Sequence, residues 1–479
     1  MENSLLLGLR KQGNVAYTEN NAVSNRSTLS SVLDFYYHAS ARRGQDNTKL
    51  FADAYGEDQL LALKAAFYTR DIRGGQGERN TFSQVLRFLF KNDRATFEKI
   101  VELVPVYGRW RDILEFVDSG LVVFMVRSQL NKDSVAEHPS LLAKWMPSEN
   151  ASSKETVTLA NKWIKALELT PRQYRKVLTV IRRKLVLVET LMSAGKFDQI
   201  NYEHVPSRAS MLLRKAFSKR DAERYVAYLE SVKKGDKKIN AGTLYPYEIV
   251  GKVMRGEDSN TLEAQWLALP NFCEGDESNS LVIADVSGSM AGTPIEVSIS
   301  LALYIAERNK GAFHNYFMVF SGTSELIKVK GKTLRDKINH IKASDTTWGQ
   351  NTNLQAAFDS ILRAAMVNKV PANEMPKNLF IISDMQFDSS GCQRTNFDAM
   401  KNKFERAGYT LPTVVFWNVA SRVNEAPVTM DTRGVFLVSG ASPSIFKAAI
   451  NARATNPMEL MLEILNTDRY APIEEALSK

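Results

Sequence analysis

The stretch Leu281-Val282-Ile283-Ala284-Asp285-Val286-Ser287-Gly288-Ser289-Met290 constrains this chain more than any other. Four consecutive apolar residues end in a carboxylate, and two hydroxyls follow at alternate positions around a glycine. A short continuous apolar run closed by a turn signal is the pattern of a strand buried on both faces. The carboxylate and hydroxyls then fall at the strand's C-terminal edge, where open α/β sheets place their ligand chemistry. An oxygen-rich pocket of this kind suits a hard divalent cation.

Leu379-Phe380-Ile381-Ile382-Ser383-Asp384 repeats the pattern, an apolar strand that stops at a carboxylate. Between the two lies a polar loop, Thr346-Thr347-Trp348-Gly349-Gln350-Asn351-Thr352-Asn353, which opens a helix at Leu354. Strands are expected at 281–285, 313–320, 326–331 (an edge), 378–383, 413–419 and 434–438. Helices are expected at 294–309, 333–342, 353–368, 396–407, 443–452 and 457–466. Residues 281–479 therefore read as an α/β doubly wound domain.

Upstream the period is helical. Residues 1–28 are polar and aperiodic, the mark of a flexible N-terminal arm. Residues 29–272 form an all-α region, with helical spacing at Leu29, Val32, Leu33 and Tyr36 and again at Leu60, Leu61, Leu63, Lys64 and Phe67. Helices are also expected at 95–104 and 109–118. Short helices on short connections suggest a stacked, HEAT-like solenoid, though without a fixed period. Phosphate-cradling glycine loops follow strands, whereas Gly74-Gly75-Gln76-Gly77 joins two helices and reads as a tight connection. Residues 273–280 are polar and acidic, and mark the linker.

The chain carries a net charge of +9. Residues 151–250 hold 20 Lys and Arg against 10 Asp and Glu, so the whole surplus sits in this block. A surplus so confined is the footprint of a polyanion-binding face. Thr170 is placed to cap a helix, Pro171 suits its first position and Gly195 its end. On that helix Tyr174, Val177, Leu178, Ile181, Leu185 and Val188 share a stripe, while Arg172, Arg175, Lys176, Arg182 and Arg183 share another face. Arg208, Arg214, Lys215, Lys219 and Arg220 extend the cluster. Interleaved Tyr174, Tyr202, Tyr225 and Tyr228 suit either base stacking or a helix core.

Two cysteines, Cys273 and Cys392, are too few for a disulfide framework. No apolar run approaches the ~20 residues that span a bilayer. A cytoplasmic location without membrane attachment is the expectation. There is no Gly-x-Ser-x-Gly elbow, and none of the five histidines has a triad context, so no enzyme activity is expected.

Asp285, Ser287 and Ser289, then Thr352 before a helix, then Asp384 at a strand end resemble the metal-ion-dependent adhesion site of von Willebrand factor A domains. The resemblance implies that Ser287, Ser289 and Thr352 bind a divalent cation directly, Mg²⁺ in preference to Mn²⁺. Asp285 and Asp384 would hold it largely through water. Such a site keeps one position open for an acidic group of a protein partner. With Arg73-Gly74-Gly75-Gln76-Gly77-Glu78-Arg79, Tyr107-Gly108-Arg109-Trp110-Arg111-Asp112, Lys144-Trp145-Met146-Pro147-Ser148, Val205-Pro206-Ser207-Arg208, Lys237-Lys238-Ile239-Asn240-Ala241 and Tyr245-Pro246-Tyr247-Glu248, the whole chain resembles the Ro ribonucleoprotein family. That family joins a TROVE module to an A domain, and the likeness is closer to its uncharacterised plant, microbial and phage relatives. It implies a ring of helical repeats and a non-catalytic scaffold for single-stranded or small structured RNA. The alternative is a metal-dependent protein-interaction adaptor that does not bind RNA.

Overall fold

The computed structural model describes residues 4–257, 259–274, 279–320, 324–344, 352–389, 391 and 394–479. The N-terminal region is mostly helical, and the C-terminal region is a mixed sheet flanked by helices.

Local signals account for the helical region. Ser30, Asp58, Asp93, Ser119, Ser153 and Thr170 each accept a hydrogen bond from a backbone amide in the first turn of the helix they open. The helix Gln59–Arg70 is buried on nearly every side, with Leu63, Ala66 and Phe67 at its centre. It meets the helix Asn80–Asn92 through the glycine connection, as its position between helices predicts. A Cβ at Gly75 would overlap the Tyr68 carbonyl, so the turn closes only around glycine.

Three expectations are corrected here. Residues 109–118 form one 3₁₀ turn, Trp110–Asp112, and not a helix. The helix predicted from Pro171 to Gly195 ends at Lys184, and a short helix, Val188–Ser193, follows. The break lies at Val186, in the left-handed region with φ 44°, and Val188 is only half buried. Leu185-Val186-Leu187-Val188 is apolar at every position, so it offers no single stripe for a continuing helix to bury.

The third correction concerns the expected arm at 1–28, whose described part, residues 4–28, is not loose. Strands β1 (Val15–Tyr17) and β2 (Val23–Asn25) form an antiparallel hairpin. Its turn docks on the sheet region: Thr18 Oγ1 donates to the Phe387 carbonyl at 2.8 Å and Asn20 Nδ2 to the Gln386 carbonyl at 2.8 Å. Asn25 and Ala426 exchange both backbone hydrogen bonds, at 2.9 and 2.8 Å. Polarity marked this segment as solvated, but its polar groups are spent on backbone partners more than 360 residues away.

The main sheet has six strands: β3 (Ser280–Asp285), β4 (Tyr316–Phe320), β5 (Ser324–Lys328), β6 (Asn378–Ser383), β7 (Thr413–Asn418) and β8 (Val435–Ser439). Their order is β5-β4-β3-β6-β7-β8, with β5 antiparallel at one edge and the rest parallel. Alternate residues feed two cores. Val282, Ala284, Phe380, Ile382, Val415 and Trp417 face one side. Leu281, Ile283, Leu379, Ile381, Val414 and Phe416 face the other, against the helices Leu354–Asn368 and Asn396–Arg406. Burial on both faces is why these strands read as unbroken apolar runs. From β3 the chain runs outward to β4 and β5, then returns to the far side of β3 as β6. The β3–β6 seam is thus the topological switch point.

The two regions interlock. The helix Pro246–Met254 shares a core with the helix Thr293–Arg308 on one face of the sheet. At the other end of the chain, Met461, Leu465, Tyr470 and Ile473 sit in the core of the N-terminal helices. The Asp71 carboxylate takes two hydrogen bonds from Arg469, at 2.6 and 2.7 Å, and locks this return.

Candidate metal centre

Parallel pairing of β3 with β6 sets Ala284 opposite Ile382, so both strands end at the same level. Asp285 and Asp384 follow, side by side at the switch point. Ser383 Oγ donates to Asp285 Oδ2 at 2.6 Å, and the Ser287 amide donates to Asp285 Oδ1 at 2.9 Å. The Ser287 and Ser289 hydroxyls lie 3.1 Å apart, one turn beyond. Asp384 Oδ1 accepts the Gln386 amide at 3.1 Å, while Asp384 Oδ2 is buried and has no hydrogen-bond partner within bonding distance among the described residues. Met385 holds φ 67° directly after it, a strained geometry for a side chain of that size. Thr352 is buried, and its carbonyl accepts the Asp388 amide at 3.0 Å, which anchors it against the segment that follows Asp384. Thr346 and Thr347 lie outside the described residues.

Electrostatics sharpen the picture. Burial, and next the neighbouring charge of Asp384, push the Asp285 carboxyl up to about 7. Burial likewise raises Asp384, against the Ser289 hydroxyl, the Gln386 amide and the Arg422 charge. Two adjacent carboxylates in a dry pocket are stable as anions only with a cation between them. Among the described residues no set of three or more His, Cys, Asp or Glu is arranged to hold a metal. The donors here are of another kind: two carboxylates and up to three hydroxyls, all oxygen. That chemistry, the orphaned Asp384 oxygen and the unbalanced charge together fit a hard divalent cation.

Two further residues stand at the rim, and sequence alone does not reveal them. Arg422 donates to the Ser289 carbonyl at 2.8 Å and lies 3.7 Å from the Glu19 carboxylate on the hairpin turn. The Glu19 amide is held by Gln386 Oε1 at 2.8 Å. Only the docking of the N-terminal hairpin brings Glu19 here.

Residues 279–472 match the family model described as Domain of unknown function (DUF7788). Residues 18–122 and 146–271 match Domain of unknown function (DUF2828). The chain is 31% identical over 510 residues to an uncharacterized protein of Acanthamoeba polyphaga mimivirus, covering 96% of this chain and 89% of that protein. The chain belongs to the same family as that viral protein. The two domain matches meet at the 273–280 segment, and the DUF2828 match begins at residue 18, inside the docked hairpin.

The basic residues of the DUF2828 part divide into two groups. Arg175 pairs with Glu149, and Arg208 with Glu248. Arg182 donates to the Ala143 and Met146 carbonyls at 2.8 and 2.9 Å, tying down a neighbouring turn. Arg214 is buried between Glu257 and the Met211 carbonyl, and Lys215 reaches the same Glu257 at 3.1 Å. By contrast Arg172, Lys176, Arg183, Lys219 and Arg220 are exposed and make no ion pair among the described residues. The four tyrosines are core residues. Tyr174 donates to the Pro147 carbonyl and Tyr228 to the Lys238 carbonyl, Tyr202 donates to Asp221, and Tyr225 shares a hydrogen bond with Thr261.

Proposed function

We propose that this protein is a non-catalytic binding scaffold whose C-terminal region is a von Willebrand A-type domain with a metal-ion-dependent adhesion site. Asp285, Ser287, Ser289, Thr352 and Asp384 hold a divalent cation, Mg²⁺ or Mn²⁺, at the β3–β6 switch point. The single observation that carries this is the buried Asp285–Asp384 pair, with an Asp384 oxygen that has no hydrogen-bond partner among the described residues. When bound, the cation supplies an electrophilic centre for an acidic group of a protein partner. The chain's residues fix the site's shape: Ser383 and the Ser287 amide orient Asp285, and the Gln386 amide orients Asp384. Calorimetric titration of the full-length protein with MgCl₂ and MnCl₂ tests it. Saturable uptake of one ion per chain, lost in Ser287→Ala with Ser289→Ala, is the expected result; no heat from either ion overturns it.

A second reading, RNA binding by a HEAT-like helical region akin to Ro proteins, draws on a different observation. Arg172, Lys176, Arg183, Lys219 and Arg220 are exposed without acidic partners in the one block that carries the chain's surplus charge. Absorbance at 260 and 280 nm on freshly purified protein, with and without RNase, checks it. A nucleic-acid signal that RNase removes supports this reading; a clean protein spectrum with no low-salt binding of single-stranded RNA leaves the metal-dependent adaptor alone.

A further inference from the structure

Five of the sequence segments singled out above, far apart in the chain, meet at one place outside the metal centre. They contribute Arg79, the 109–112 turn, Trp145, Arg208 and Glu248. At the centre Arg70, fully buried, donates twice to Asp112 Oδ2, at 2.8 and 2.6 Å, and Arg79 lies 3.4 Å from Asp112 Oδ1. Gly108 packs so closely on Arg70 and Asp112 that a Cβ would displace them. The Arg109 and Arg111 guanidiniums approach the Trp145 ring, at 5.4 and 5.9 Å from its centroid. Arg208 reaches Glu248 from the start of the helix Ser207–Arg220.

The charges do not balance. Arg70, Arg79, Arg109, Arg111 and Arg208 face two carboxylates, Asp112 and Glu248, and the adjoining Arg43–Glu78 and Lys144–Glu189 pairs are neutral. Arg109 makes no ion pair among the described residues: burial first, then Arg70 and Arg208, disfavour its charge, with Asp112 offsetting part of this and Arg79 adding to it. Side chains at the mouth are open to solvent, with Arg79 and Arg208 about half exposed and Arg111 exposed. Like charges gathered around a rigid, partly dry floor are stabilised by an anion, and guanidinium forks match the oxygens of phosphate.

We propose that Arg79, Arg109, Arg111 and Arg208 form a phosphate subsite that takes a phosphate group of an RNA strand or of a free nucleotide. The RNA source rests on the second functional reading above; the subsite itself does not. Its occupant turns three or four surface guanidiniums toward one dianion and leaves the Arg70–Asp112 floor in place.

The test uses the full-length protein at low salt with three probes: inorganic phosphate, AMP, and a fluorescein-labelled single-stranded oligoribonucleotide bearing a 5′-phosphate. Arg79→Ala with Arg111→Ala leaves the Arg70–Asp112 pair in place and is expected to stay folded at the assay temperature, as its melting curve checks, yet to bind every probe about tenfold more weakly or worse. Arg109→Ala gives the same loss and Arg109→Lys a partial one, because lysine keeps the charge and loses the fork. If the wild type takes AMP and phosphate in this way but not the oligoribonucleotide, the subsite stands as a nucleotide site and the RNA reading falls. If the oligoribonucleotide binds equally well to wild type and variants, the subsite is overturned and the RNA reading survives elsewhere on the block. If no probe binds the wild type, both are overturned.

Discussion

The strand-edge pocket and the basic block look equally persuasive on paper, and the folded chain treats them differently. Asp285 and Asp384 each end a β-strand, and parallel pairing of β3 with β6 leaves them nowhere to go but side by side. Their juxtaposition follows from register. The arginines of residues 151–250 sit on helices, whose faces are allotted by whatever packs against them. Of the ten basic residues singled out there, five (Arg175, Arg182, Arg208, Arg214 and Lys215) meet carboxylates or backbone carbonyls within the protein. A count of positive residues therefore overstates free positive charge, whereas a carboxylate at a strand's end reports its own location.

The contrast can be broken most sharply at Asp285. Asp285→Asn keeps an acceptor for the Ser287 amide and reverses the Ser383 bond, its amide donating to the Ser383 oxygen, so the metal-free protein should melt no lower than wild type. Cation affinity should fall by ~100-fold, or about 2.7 kcal/mol, by calorimetry. Equal affinity in the variant would remove Asp285 from the centre.

Next in size is Arg214→Ala. Fully buried ion pairs cost ~3–5 kcal/mol when one partner is removed, and Glu257 keeps some solvent, so about 2–3 kcal/mol is expected here in urea denaturation. Its effect on RNA affinity should be nil beyond that loss of stability. A lowered salt slope instead would place Arg214 at the nucleic-acid face.

His38 tests the seam between the helices and the sheet. It is buried, its Nδ1 lies 2.9 Å from the Ser421 hydroxyl, and its Nε2 has no partner within hydrogen-bond distance among the described residues. Burial first, and then the Arg42 charge, hold its pKa down to about 3. The unfolded chain binds this proton near pH 6.5 and the native one does not, so the contribution is full above that value and lost as pH falls toward 3. Between pH 7 and pH 5 the loss is about 2 kcal/mol. Urea midpoints at the two pH values should converge in His38→Asn, and an unchanged difference would assign the acid sensitivity to other groups.

The smallest effect sharpens the other side of the comparison. Reversing Arg172, Lys176 and Arg183 together should reduce the slope of log affinity against log salt for single-stranded RNA by about 2, at ~0.7 per phosphate contact. Reversing Arg175, already paired with Glu149, should add little.

Much of the sheet region was legible because its strands are buried on both faces and its helices carry their own caps. β3, β6 and β7 fall within a residue of the expected spans, and so do the helices from Thr293 to Arg308 and from Leu354 to Asn368. Two of the misses share one physical origin, partners that lie elsewhere in the chain. The expected helix at 109–118 is a 3₁₀ turn because Asp112 bends back to Arg70 and to its own Arg109 amide, at 3.0 Å. The hairpin at 15–25 reads from sequence as a solvated arm because its partners, Gln386, Phe387 and Ala426, lie far along the chain. Rim residues Glu19 and Arg422 were invisible for the same reason.

By itself the sequence determined the class of each half, the order of the residues along the β3–β6 seam and the carboxylates and hydroxyls that fall at its end. Those follow from local periodicity and from the two-residue repeat of a strand. Tertiary structure alone decided which charges remain free, that the chain's two ends bind the opposite regions, and that five distant segments gather their arginines at Asp112. Long-range pairing of polar groups is set by which surfaces meet, and no local period encodes that.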